Sequence, residues 1–509
     1  MTIDFENLRC SFIDGKWLAI SETEGESFVK INPAQTNDQI GPVQTSMTHV
    51  DTAVECGRRA AALWQKTPLE KRLGFLKILA DLISKHSELL AQSITREIGK
   101  PMWESRSEIK NVLNKFLITQ NEALKWVENF SVAGPNVAIK ATCQFKPHGV
   151  MVVLGPFNFP LHLVMGHLIP ALACGNCVIL KPSDQAPLTS MLLAELFSQA
   201  GFPAGIFGMV QGGAAIGEKL CRHPDIDGIL FTGSYAVGRK IKEWTLDQPG
   251  KILALEMGGK NASVIWHDAS VPEATAAVLQ SATITCGQRC TATSHLIVHE
   301  KVFDQVVSEL EKMASQLNIG DPTQEATFMG PLISEASRQR FFQANAKAVS
   351  LGAHAMSIQN LSNIPQTGFF VTPAVLRFDA LPKRELFLSG YFDQEIFAPA
   401  LALYPVTAVK DAVDFINQSQ FGLALSIFSK GPEIFETFLE SCRVGVCNWN
   451  RPTTGASSAL PFGGQKASGN HFPTALFAAK YCTYPVATLR EEDPSTVEKL
   501  NGFRCLESK

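Results

Sequence analysis

Residues 150–184 read VMVVLGPFNFPLHLVMGHLIPALACGNCVILKPSD, and their pattern decides the architecture. Residues 150–154 are an unbroken apolar run, and 177–180 are another. Between them, residues 161–172 are apolar all round, as a buried helix is. Two short apolar runs joined by a helical segment describe strand, helix and strand, with both strands covered on two faces. That is how a parallel sheet reads. The alternation continues downstream. Helices are expected at 188–199, 214–221 and 235–244, and strands at 206–210, 229–231 and 252–255. Ligands of such sheets bind beyond the carboxyl ends of the strands. The residues just after each run are therefore the first candidates for a site.

A second alternating region runs from Asn261 to about Asn448. Its expected strands are 263–266, 296–298, 374–378, 400–404, 425–428 and 444–447, with helices at 272–285, 302–316, 335–351 and 409–418. A chain of 509 residues exceeds the ~250–300 residues that one core fills. Two α/β domains packed face to face, with a site between them, are expected. Ahead of residue 150 lie a β-rich start, with a hairpin turn at Asp14-Gly15-Lys16, and helices at 50–66, 69–97 (with a break) and 102–129. After the second region come a helix at 474–481 and a strand at 483–489. A strand at a chain end offers an open edge, here to another subunit.

Composition narrows the function. Hydrophobic residues make up 45% and charged residues 18%, with a net charge of −3. That suits a globular protein and gives no basic footprint for nucleic acid. No apolar run reaches the ~20 residues a membrane helix needs. Residues 1–10, MTIDFENLRC, lack the pattern of a secretory signal. Twelve cysteines are too sparse for a disulfide scaffold, so reduced thiols and a cytoplasmic location are expected. His295 and His299 are four apart, but on a strand that spacing separates them by ~13 Å. No metal site is expected.

The chemistry centres on residues 281–293, SATITCGQRCTAT. A lone cysteine is usually a small core residue. A nucleophilic one needs a base or an activating field, because a free thiol with pKa ~8.5 is only a few per cent ionised at neutral pH. Glu256, in LALEMGGKN, ends a strand beside a double-glycine turn, where burial can raise its pKa into the range of a general base. Asn158, in PFNFP, follows a buried strand and can donate to an oxyanion, a contact worth ~3 kcal/mol at comparable sites. Two other patterns are decoys. GGAAIGEK at 212–219 has Glu218 where a phosphate loop has lysine, and Cys174-Gly-Asn-Cys177 leads into a buried strand.

Together PFNFP, LEMGGK and GQRC resemble the aldehyde dehydrogenase superfamily over nearly the whole chain. The 34 residues from Glu256 to Cys290 match that family's interval. The resemblance implies two Rossmann-like parallel-sheet domains and a small β oligomerisation element. It divides the chain into an NAD-binding domain (1–128 and 147–257), a catalytic domain (258–458) and oligomerisation strands (129–146 and 480–492) of a homodimer or homotetramer. It implies that Cys290 attacks an aldehyde, that Asn158 holds the oxyanion and that Glu256 activates water against the resulting thioester. It assigns the cofactor to Lys181, Ser183 and Asp184 in LKPSD, to Gly233, Ser234 and Gly238 in FTGS and the helix after it, and to Glu395 and Phe397 in QEIFAP. There Ala398 replaces a usual glycine. Asp184, an acid near the ribose, favours NAD, with NADP as the alternative.

Residues 448–458 (NWNRPTTGASS), 461–471 (PFGGQKASGNH) and 481–486 (YCTYPV) resemble the branch of that superfamily acting on N-succinylglutamate 5-semialdehyde in arginine catabolism. Arg451 and Phe157 are its substrate candidates here. The chain departs from that branch at 161–167 and at two places where arginine is usual, Ala292-Thr293-Ser294 and Phe472. Arginine pairs naturally with carboxylates, so a less anionic aldehyde is an alternative. Further readings are a cysteine acyl-transfer enzyme without redox or an acyl-phosphate or CoA-linked reductase, and an inactive binding protein on this fold; Glu256 weighs against the reductases, and intact Asn158, Glu256 and Cys290 against the inactive protein.

Overall fold

The computed structural model describes residues 11–18, 26–135, 139–356, 365–387 and 390–492, together with Gly502. The reading of residues 1–10 lies outside these. The first sheet has seven strands, in the order Ile252–Met257, Gly228–Gly233, Val150–Leu154, Cys177–Lys181, Phe207–Val210, Ser11–Ile13 and Lys16–Leu18. The pairs formed by the first five are parallel, and the N-terminal hairpin adds antiparallel at the edge. Val150–Leu154 is buried at every position because helices cover both faces of the sheet.

The second sheet also has seven strands: His354–Ala355, Ala374–Arg377, Ala400–Val406, Thr293–His299, Asn261–Ile265, Ala424–Phe428 and Val446–Trp449. Its pairs are parallel except for His354–Ala355 at the edge. The fold is thus α/β with two parallel-sheet units. His295 on this sheet is a satisfied core residue: its Nε2 meets the Phe392 carbonyl at 2.8 Å and its Nδ1 meets the Tyr404 hydroxyl at 3.2 Å.

Two expectations need correction. The helix expected over 102–129 ends at Asn121, and a short 3-10 turn, Ala123–Val127, leads into strand Phe130–Val132. Residues 474–481 are not one helix. Thr474–Ala475 pairs with Pro461–Phe462, Ala475 has φ +59°, and only Ala478–Tyr481 is helical. The terminal strand, Thr483–Glu491, stands at the edge of a three-stranded sheet. It pairs antiparallel with Ile139–Pro147, which also pairs with Phe130–Val132. Phe130, Val132, Tyr484 and Leu489 are exposed on this small sheet. Among the described residues no helix is long and apolar enough to cross a membrane.

Candidate active site

The loop that carries Cys290 is bent by three successive left-handed residues, Thr285 (φ +55°), Cys286 (φ +53°) and Gly287 (φ +66°). For residues other than glycine this region costs on the order of 1–3 kcal/mol each, so the surroundings must hold the bend. Glu104, buried on helix Met102–Asn121, does much of this. Its carboxylate accepts the Thr285 N–H (3.0 Å), the Thr285 hydroxyl (2.5 Å) and the Arg289 guanidinium (2.9 Å). The Gln288 side chain accepts the Ile333 N–H (2.9 Å). Gly287 admits no side chain, because a Cβ there would stand 2.4 Å from the Ala398 carbonyl carbon. Cys286 packs in a core cluster with Met329 and Phe341.

Cys290 is half-buried in a cleft of about 310 Å³. Burial pushes its thiol up to about 12, and the nearby Glu395 and Glu256 add to that, with Arg289 opposing. Burial thus works against the thiolate, and the Arg289 guanidinium works for it. Asn158 is buried, and its Nδ2 donates to the Gln288 carbonyl at 2.9 Å. That bond fixes the amide against the nucleophile loop and uses one of its two N–H groups. On the other side, Asn261 Nδ2 donates to the carbonyls of Cys290 (2.7 Å) and Ala292 (2.9 Å).

Glu256 sits one residue inside the end of strand Ile252–Met257, buried. Burial raises its pKa well above the ordinary value, and backbone N–H groups of Gly464 and Thr474 offset only part of this. Its Oε2 is buried with no hydrogen-bond partner. A buried carboxyl with one unsatisfied oxygen, close enough to Cys290 for the two charges to act on each other, is placed to hold a water and, once ionised, to take its proton. The segment 461–471 packs against this strand. Asn470 accepts the Leu255 N–H (2.8 Å) and donates to the Leu253 carbonyl (2.7 Å), and the Met257 N–H donates to the Ser468 carbonyl (2.9 Å).

The cofactor candidates line one edge of the first sheet. Leu154 pairs with Lys181 and Phe231, and Thr232 with Glu256, so these strands end level. Lys181 is half-buried, and burial lowers its pKa while Asp184 opposes. Ser183 accepts the Gln185 N–H (3.2 Å). Asp184 also faces the buried Lys30, whose ammonium burial draws down to about 8. Ser234 caps helix Tyr235–Trp244, accepting the Val237 N–H at 3.4 Å. Gly238 lies where a Cβ would meet Met257 Sδ at 2.4 Å, and Gly233 where one would meet the Phe231 ring. From the second unit, Glu395 accepts the Gly259 N–H (3.1 Å), and its carboxylate fills the space a Cβ on Gly258 would take. Phe397 has φ +57° and meets Phe157 edge-on at 5.8 Å. The strained residue of this turn is thus Phe397, and alanine at 398 fits. An ammonium, a capped helix N-terminus and a carboxylate make a donor set that fits a dinucleotide.

The cleft itself is lined by Cys290, Arg289, Thr291, Phe159, His162 and Lys115, among others. The two substrate candidates fall elsewhere. Arg451 is exposed and outside the lining, and its backbone carbonyl accepts the Ser426 hydroxyl. Phe157 belongs with Phe397 rather than with this lining. The positions lacking the usual arginines are not cleft positions either. Ala292 and Thr293 are buried, and the Thr293 hydroxyl meets those of Ser263 (3.0 Å) and Thr453 (2.8 Å). Phe472 is exposed.

Sequence reasoning missed Glu104, Arg289, Asn261 and Lys115. A signal existed for two of them: Glu104, Glu108 and Lys115 fall in helical step with the apolar stripe Ile109, Val112 and Phe116. Glu104 is a positioning residue. Glu104→Gln is expected to cost ~3–5 kcal/mol of stability in denaturant unfolding and to lower kcat about tenfold or more with little change in KM. Unchanged kcat and stability would contradict that role.

Residues 20–484 match the model of the aldehyde dehydrogenase family. With this coverage, the chain belongs to that family, whose chemistry is the oxidation of aldehydes. It is similar to the N-succinylglutamate 5-semialdehyde dehydrogenase of Novosphingobium aromaticivorans, 38% identical over 448 residues, which span 87% of this chain and 93% of that one. Among solved structures, the P. syringae indole-3-acetaldehyde dehydrogenase in complex with NAD+ and IAA superposes with a TM-score of 0.89 at 26% identity, covering 96% of this chain and 97% of that one. An E. coli NADP dependent enzyme gives 0.88 at 27% identity, covering 95% and 98%.

Proposed function

We propose that this chain oxidises N-succinyl-L-glutamate 5-semialdehyde to its carboxylate with NAD, as a cytoplasmic enzyme of arginine catabolism. The observation that carries the reading is half-buried Cys290 lying within electrostatic reach of the buried, partly unsatisfied carboxyl of Glu256. The similarity to a relative named for that substrate supports the aldehyde chosen. The burial of Ala292 and Thr293 removes a reason to expect a less anionic one.

In this reading the Cys290 sulfur attacks the aldehyde carbon to form a thiohemiacetal. The second N–H of Asn158 and the Cys290 N–H hold the oxyanion. A bound nicotinamide would supply the hydride acceptor. Lys181, Ser183, Asp184, Gly233, Ser234 and Gly238 would hold the dinucleotide from the first unit, and Glu395 and Phe397 from the second. The thioester left on Cys290 is then hydrolysed by water that Glu256 deprotonates. Phe130, Val132, Tyr484 and Leu489 on the three-stranded sheet are read as a self-association surface.

Incubation with the semialdehyde and either cofactor tests this. Reduced nicotinamide is expected to accumulate, with kcat/KM at least about tenfold higher for NAD, because the Asp184 carboxylate disfavours a 2′-phosphate. Preference for NADP would overturn the cofactor assignment, and no reduction with either would overturn the activity.

A further inference from the structure

Lys115 lies on the inner face of helix Met102–Asn121 and lines the same cleft as Cys290. The charges around it are otherwise matched. Lys100 pairs with Glu108 at 2.5 Å, and Arg289 with Glu104 at 2.9 Å. Both acids are fully engaged, since Glu108 also accepts the N–H groups of Leu161 and His162 and Glu104 those of the Thr285 backbone and hydroxyl. Lys115 is 7% exposed and has no carboxylate partner among the described residues.

Burying an ammonium without a partner is costly. Burial alone draws this one down to about 8, so it remains mostly charged near neutral pH. Gly166 opposes it, and a Cβ there would stand 3.0 Å from Nζ. His162, also on the cleft, has a buried Nδ1 with no partner. Burial and the surrounding cations keep that ring neutral, so it supplies a hydrogen bond without adding charge. The site thus holds one unmatched positive charge and an unused polar atom.

We infer that Lys115 pairs with a carboxylate of the aldehyde's own chain and makes the cleft selective for acid-bearing semialdehydes. This rests on the dehydrogenase reading above. The cation is supplied from a helix of the first unit, and the nucleophile loop need not carry it. A neutral aldehyde leaves Lys115 buried and unpaired, while an anionic one completes it. Lys115 is thus a specificity residue to which no bond-making step is assigned.

The test compares N-succinylglutamate 5-semialdehyde with its dimethyl ester, which keeps the shape and removes the charge. In Lys115→Met the ratio of kcat/KM between acid and ester is expected to fall about 10–100-fold, the scale of one charge-assisted hydrogen bond, mostly through KM. Lys115→Arg should recover part of the ratio, which a merely structural role would not do. An unchanged ratio, or equal losses on both compounds, would overturn the inference. Calorimetric binding of N-succinylglutamate to the Cys290→Ala protein, with lysine or methionine at 115, reads the same contact without turnover. A 10–100-fold loss of affinity supports the assignment, and equal affinity overturns it. Absence of any oxidation by the wild-type protein would instead defeat the dehydrogenase reading, and the binding measurement would still decide Lys115.

Discussion

Cys290→Ala is expected to abolish aldehyde oxidation, lowering kcat by roughly four orders of magnitude or more, as loss of a covalent nucleophile does elsewhere. The substitution removes one half-buried sulfur and leaves the loop's supports untouched. Glu104 still accepts from Thr285, and Asn158 and Asn261 still reach the backbone carbonyls of Gln288 and residue 290. The protein should fold and bind cofactor normally, so the loss falls on chemistry alone. No other cysteine lines the cleft among the described residues. Burial pushes Cys286 well above the ordinary thiol range. Residual turnover within about tenfold of wild type, read as reduced nicotinamide, would contradict the role of Cys290.

Glu256→Gln is expected to separate the two halves of the reaction. Hydride departure needs only the thiohemiacetal, so an initial burst of reduced nicotinamide should survive. Hydrolysis needs a base, so steady-state turnover should fall by about 10²–10⁴-fold. The wild-type pH profile carries the same signature. Burial raises the Glu256 pKa well above its ordinary value, so the carboxyl is protonated at low pH and turnover rises as pH rises through that raised value. The glutamine variant should lose this limb. Stability runs the other way. A group whose folded-state pKa is raised contributes stability that is fully present below its unfolded-state value and is lost as pH rises through the folded-state one. Glutamine should therefore be relatively more stable in the alkaline range. Equal loss of burst and turnover would contradict the assignment.

Much of the fold was legible because buried parallel strands are continuously apolar. Val150–Leu154 and Cys177–Lys181 could hardly be anything else. The residues just beyond such strands were legible for the same reason, since topology places their ends together. The cleft's charged lining was not. Helix Met102–Asn121 buries Glu104, Glu108 and Lys115 along with its apolar stripe. A sequence does not reveal that a helix is covered on its polar side by a strained loop from another unit. Arg451 shows the opposite case: a charged residue in a distinctive loop invites a substrate role, and in the fold it is exposed and outside the cleft lining. The motif 461–471 proved a support for the Glu256 strand, which no pattern within it announces.

The central claim is a covalent acyl intermediate on Cys290 that Glu256 releases. Mass spectrometry of the Glu256→Gln protein, quenched after mixing with the semialdehyde and NAD, tests it directly. The expected result is an acyl group, two hydrogens lighter than the added aldehyde, on the peptide that carries Cys290, in step with the burst of reduced nicotinamide. Reduced nicotinamide without an adduct, or an adduct on another cysteine, would contradict it.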